Sequence, residues 1–158
     1  MRSRTADWFL CKIRYEKVME DGLQKTVTEQ YVVDALSFTE AEARIMEQMS
    51  QYISGEFEVV EIDRCVFHEV FFSDGEMDDC WFKAKVQFIT IDEKTDKEKK
   101  TNVFYLVQAS TLEGARKNID EVMGGTMIDY RIAAVSETNI IDVFEYVAKE
   151  DSRPEFEK

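Results

Sequence analysis

The sequence predicts an α+β protein: a tandem duplication of one ββαβ unit, with antiparallel sheets, two helices on one face and a pseudo-twofold arrangement. Three observations predict it. The chain repeats itself at a spacing of about 73 residues, each half holds stretches of period-two hydrophobicity, and each half holds one helical apolar stripe. Laid with Trp8 on Trp81, the run Trp8-Phe9-Leu10-Cys11-Lys12-Ile13-Arg14-Tyr15 falls on Trp81-Phe82-Lys83-Ala84-Lys85-Val86-Gln87-Phe88. One residue further out of step, Tyr31-Val32-Val33-Asp34-Ala35 falls on Tyr105-Leu106-Val107-Gln108-Ala109, and Phe38, Ala41, Ile45 and Met49 fall on Leu112, Ala115, Ile119 and Met123. Back in the first register, Phe57, Val59, Ile62, Val70 and Phe71 fall on Tyr130, Ile132, Val135, Val143 and Phe144.

Each element follows in order. The first strand alternates, with Phe9, Cys11, Ile13 and Tyr15 on one face and Phe82, Ala84, Val86 and Phe88 as their counterparts. Glu20-Asp21-Gly22 turns the first hairpin, and the charged run from Asp92 to Lys100 turns the second. The second strand ends at Ala35 or Ala109. Ser37 or Thr39, and Ser110 or Thr111, are the N-cap candidates of the helices that follow. Positions 38, 41, 45 and 49 lie on one helical face, and Gly55 and Gly124-Gly125 are the expected stops. A long strand closes each unit, Phe57 to Phe72 and Met127 to Tyr146, with Asp63-Arg64 and Ser136-Glu137 as the places to bend or split.

The units are residues 1–73 and 81–148, joined by an acidic linker at 74–80 and followed by a flexible acidic tail at 149–158. A lone unit of this size buries too little surface to be stable, so the two copies form one compact domain. Hydrophobic residues make up 44% of the chain, enough for a core, and the only proline, Pro154, stands in the tail.

The net charge of −13 is shared between the halves: 14 acids against 8 bases in residues 1–73, and 19 against 12 in 74–158. A field of that sign repels phosphate backbones and anionic membranes. Three cysteines without CxxC spacing point to a reducing compartment rather than a disulfide framework. Met1-Arg2-Ser3-Arg4 lacks the apolar stretch of a secretory leader, and no run reaches the length of a membrane span. The expected compartment is the cytoplasm.

The opening Trp-Phe-x-Cys-Lys-Ile-Arg-Tyr, the stretch Tyr-Val-Val-Asp-Ala-x-Ser-Phe-Thr-Glu-Ala-Glu-Ala and the paired Val-Phe endings resemble an uncharacterised domain-of-unknown-function family of Bacteroidota and some of their phages. The resemblance covers nearly the whole chain. It implies a single domain and carries no activity.

No Gly-rich loop, GxSxG or HExxH is present. Cys65 and His68 lie three apart on an expected strand and so face opposite ways, which suits neither a shared metal nor a Cys–His nucleophile. Asp74, Glu76, Asp78 and Asp79 lack the spacing of an EF-hand and read as a solvated linker. No catalytic residue, metal or cofactor is expected.

The candidate binding face lies opposite the apolar side of the first strands: Trp8, Lys12 and Arg14 in one copy, Trp81, Lys83 and Lys85 in the other. Aromatics interleaved with cations on a sheet face can stack bases and meet phosphates. The element alternation also resembles the topology of Whirly and PUR-type single-strand binders. Against this, both Trp residues can pack against the other copy while the cations wet the surface. The leading expectation is a non-enzymatic acidic adaptor that recognises a protein partner through an acidic surface or a sheet edge. Single-stranded nucleic-acid binding through the Trp/Lys face is the alternative, and a small ligand at the junction of the copies is the third. A contiguous positive patch around Lys12, Arg14, Lys83 and Lys85 favours nucleic acid, and an unbroken negative surface favours protein.

Overall fold

The computed structural model describes residues 1–146; the expected tail, 149–158, lies outside the described residues. Strand β1 (Arg2–Thr5) leads into the hairpin of β2 (Trp8–Val18) and β3 (Gln24–Asp34), then helix α1 (Phe38–Ser50), β4 (Phe57–Arg64) and β5 (Glu69–Phe72). The order returns as β6 (Cys80–Ile91), β7 (Glu98–Ala109), α2 (Leu112–Gly124), β8 (Tyr130–Glu137) and β9 (Ile140–Phe144). Strand β1 stands outside this correspondence.

Local chemistry explains the boundaries. Gly22 takes φ 83° at the tip of the first hairpin, a conformation that costs a glycine nothing. Ser37 and Thr111 cap the helices: Ser37 Oγ accepts from Glu40 N at 3.1 Å, and Thr111 Oγ1 from Gly114 N at 2.9 Å. Gly125 caps α2 as expected, but α1 stops at Ser50 with Gln51 as its cap, well before Gly55.

The closing strands do split, one or two residues beyond the places expected. After β4 has paired with β2 inside the first half, the chain crosses over and β5 pairs parallel with β7, Glu69 opposite Tyr105 and Phe71 opposite Val107. Strand β9 does the reverse, pairing parallel with β3, Val32 opposite Val143. The halves therefore exchange their last strands. One sheet runs β4-β2-β3-β9 and the other β1-β5-β7-β6-β8. The expected purely antiparallel sheets are thus mixed sheets. The composition of β5 explains why: Val70, Phe71 and Phe72 are consecutive and all buried, so the strand needs apolar cover on both faces and a neighbour on both edges.

The expectation of two helices on one face is also corrected. Helix α1 covers the sheet of β2 and β3 through Ala41, Ile45 and Met49, packed on Phe9, Cys11 and Ile13. Helix α2 covers the other sheet through Ala115, Ile119 and Met123, packed on Phe82, Ala84 and Val86. A third core joins the sheets to each other through Trp8, Val32, Val70, Trp81, Leu106 and Val143. Each sheet thus gives one face to its own helix and the other to its partner sheet, and the layers run helix, sheet, sheet, helix. Among the described residues no helix is long and apolar enough to cross a membrane.

The edge strands are β1 and β8 in one sheet and β4 and β9 in the other, and β4 and β8 are the longer, eight residues each. Both carry a bulge at the same place: the register shifts between Lys12 and Ile13, and again between Lys85 and Val86. A bulge bends an edge and spoils it as a template for an added strand.

Candidate binding face at the sheet junction

The alternation along β2 and β6 places Trp8, Lys12 and Arg14, and Trp81, Lys83 and Lys85, on the faces that look toward the opposite sheet. What covers each of them differs. Trp8 is 1% exposed and donates its indole N–H to the His68 carbonyl at 3.0 Å. Trp81 is 3% exposed and meets Phe72 edge to face, ring centroids 5.7 Å apart. Both indoles are core of the sheet–sheet junction and neither presents a face to a nucleobase.

Further along the strands the two faces diverge. On the sheet of the first half, Lys12 pairs with Glu61 at 2.9 Å and Arg14 pairs bidentately with Glu58. The Lys12 ammonium holds the Glu61 carboxyl below its ordinary range, while a hydrogen bond with Glu61 pushes Asp63 up. Glu16, Glu58, Glu61 and Asp63 outnumber the two cations, so this face is acidic.

The other face is basic. Lys83 and Lys85 stand on β6, Arg131 lies beside Gln87, and Lys100 lies opposite Ile89. Neither Lys83 nor Lys85 nor Arg131 has an ion-pair partner among the described residues. Half-buried Phe104 lies opposite Lys85, with the Lys83 ammonium 5.6 Å from its ring centroid. Gln87 donates to Asn102 at 3.2 Å. Glu98, near the hairpin tip, is the only carboxylate among the strand residues of this face. The positive patch therefore does not unite Lys12, Arg14, Lys83 and Lys85. It leaves the first pair out and takes in Arg131 and Lys100.

Where the crossing segments pass one another, the sheets leave a cleft of about 300 Å³. Leu10, Cys65, Val66, Phe67 and Ile140 form its apolar walls, and Lys83 from β6 and Asp63 from β4 also line it. Val66 is 56% exposed at its mouth. Burial pushes the Cys65 thiol up to about 12, as it does Cys11, so both are protonated and poorly nucleophilic. His68 is exposed, its Nδ1 3.8 Å from Asp7. Among the described residues no group of three or more His, Cys, Asp or Glu is placed to hold a metal ion.

The family model described as "Domain of unknown function (DUF4494)" matches residues 7–146. The chain belongs to this family. No curated protein and no solved structure matches the chain. The family match spans both exchanged halves, so this DUF4494 domain contains the cleft and both of its charged faces.

A second groove, about 360 Å³, lies between α1 and the end of β9. It borders a network that the sequence did not reveal. Asp34, 5% exposed, accepts from Arg4 Nη2 at 2.6 Å and from Tyr146 N at 2.8 Å, with Arg44 Nη1 at 3.5 Å. The Arg44 guanidinium also stacks on the Tyr146 ring at 3.9 Å. These groups satisfy one another and act as a clasp between β1, α1 and the chain beyond β9. Of the residues missed on the basic face, Arg131 had a signal. In the repeat register Glu58, Glu61 and Asp63 align with Arg131, Ala134 and Ser136, which exchanges three acids for one base.

Proposed function

We propose that this protein is a non-enzymatic, cytoplasmic binding module that recognises a protein partner, built by tandem duplication of one strand-exchanging unit. The observation that carries the binding reading is an apolar cleft opening onto a basic strip whose Lys83, Lys85 and Arg131 have no ion-pair partner among the described residues, in a chain of net charge −13. No activated nucleophile accompanies the cleft: the cysteine in its wall is held protonated. The bulges speak against strand addition at the two longer edges, β4 and β8, which favours the junction as the expected contact. The single-stranded nucleic-acid reading keeps Lys83 and Lys85 but loses Lys12 and Arg14 to carboxylates, and it loses its stacking platform because both indoles are buried.

Several contacts support duplication. Cap for cap, Ser37 answers to Thr111. The Arg44 side chain reaches the Asp34 carbonyl, as Asn118 reaches that of Gln108. Tyr146 N donates to the Asp34 side chain, as Ser73 N donates to that of Gln108 across the exchange. The cleft lining pairs in the same way in the repeat register, Leu10 with Lys83, Cys65 with Thr138 and Phe67 with Ile140, which also supports the duplication reading. Its size also suits a small ligand, the second reading.

The test is an affinity capture from native lysate, with and without nuclease, followed by native mass spectrometry of the purified chain. A nuclease-resistant protein partner is the expected result. Capture that disappears with nuclease supports nucleic acid, and a retained small mass supports the ligand reading.

A further inference from the structure

We propose that the cleft and the basic strip beyond it form one docking site for an acidic peptide segment of a partner protein, anchored by a single apolar side chain. The inference rests on the protein-binding reading and names the chemistry of the partner.

Three features converge. The cleft accepts an apolar group: Leu10, Val66, Phe67 and Ile140 wall it, and Val66 stands exposed at the mouth with nothing covering it among the described residues. Its volume of about 300 Å³ suits one large side chain better than a folded surface. Lys83 marks where the cleft ends and the strip begins.

The strip supplies the charge. Lys83 and Lys85 are successive same-face residues of one strand, about 7 Å apart, and further out Arg131 on β8 and Lys100 on β7 flank the strand on either side. An extended peptide has the same repeat, so acids at alternate positions meet successive cations. Asp63, from β4 of the other sheet, also lines the cleft, so the anionic groups run outward along β6 and away from it.

The first half lacks such a site. There Glu58 and Glu61 occupy Lys12 and Arg14, so an anion would have to displace a carboxylate already in place. Charge thus breaks the symmetry of the backbone and leaves one site per chain. A strand of bases would find cations but only half-buried Phe104 to stack on, and that ring already lies under Lys83.

The experiment selects peptides for the full chain from a random-peptide display library, then titrates the selected sequence by fluorescence anisotropy. The expected consensus has acids at alternate positions beside one Leu, Met or Phe, with affinity falling as salt rises. The Lys85→Gln, Arg131→Gln double variant, shown by circular dichroism to be folded, should bind about tenfold more weakly or worse. Val66→Asp should weaken binding, and Lys12→Gln should leave it unchanged. Selection of neutral or basic peptides would overturn the proposal, as would equal loss in Lys12→Gln. Displacement of the peptide by oligothymidine at physiological salt would reassign the strip to nucleic acid, and salt-sensitive self-association of the chain alone would reassign it to a second copy. A protein captured from lysate that leaves the Lys85, Arg131 variant unaffected would sink this site while sparing the wider reading.

Discussion

Trp8 and Trp81 show how far a single residue can be read. The alternation of β2 and β6 places both indoles on the correct face, yet says nothing of what lies against that face. The opposite sheet lies there, so their contribution is to stability. Trp81→Ala should cost about 3–5 kcal/mol in chemical denaturation, the range for removing a large buried aromatic. Asp34 was illegible for a different reason: its partners Arg4, Arg44 and Tyr146 come from three distant stretches of chain. Asp34→Ala should cost about 1–3 kcal/mol, because it strips partners from partly buried donors. Nearby, Arg2 and then Arg4 hold Glu145 below its ordinary value of 4.5, against an opposing effect of burial. A depressed carboxyl stabilises the fold above its unfolded value and loses that contribution as pH falls through the folded one. Acid titration of stability should therefore show a loss below about pH 4.5 that is smaller in Glu145→Gln. Alkylation under native conditions should leave Cys11 untouched, since it is 0% exposed and its thiol is pushed up to about 12.

At the scale of elements, local signals were faithful. The hairpins, the caps at Ser37 and Thr111 and the stripe through Ile45, Met49, Ile119 and Met123 all depend on neighbours within a few residues, and the structure places them as the periodicity predicts. Ile45→Ala and Ile119→Ala should each cost about 2–5 kcal/mol. Even the division of the closing strands was visible in their length. Their destination was not. A strand that leaves its own half for the other sheet obeys the same hydrophobic pattern as one that stays, and pattern alone does not choose between partners of equal apolarity. The run Val70-Phe71-Phe72, buried on both sides, was the one clue that β5 sits inside a sheet. Likewise the bulges opposite Lys12 and Lys85 reshape the β4 and β8 edges without any glycine or proline to announce them.

For the whole molecule, the net charge of −13 concealed its own exception. A sum over the chain cannot show that the acids of β4 have no counterparts on β8, so that one sheet face is acidic and the other basic. Nor does it show that the junction, with its core of Trp8, Val70, Trp81 and Val143, exists only when both halves are present. Strand exchange makes each half incomplete: the first lends β5 and borrows β9. Cutting the chain in the linker tests this strand exchange most directly. Residues 1–73 and 74–158 should each be largely unfolded when made alone, by circular dichroism and amide dispersion in NMR, and should recover the intact protein's spectrum when mixed in equal amounts. A half that folds by itself into a stable, cooperatively melting unit, and stays unchanged when the other is added, would contradict it.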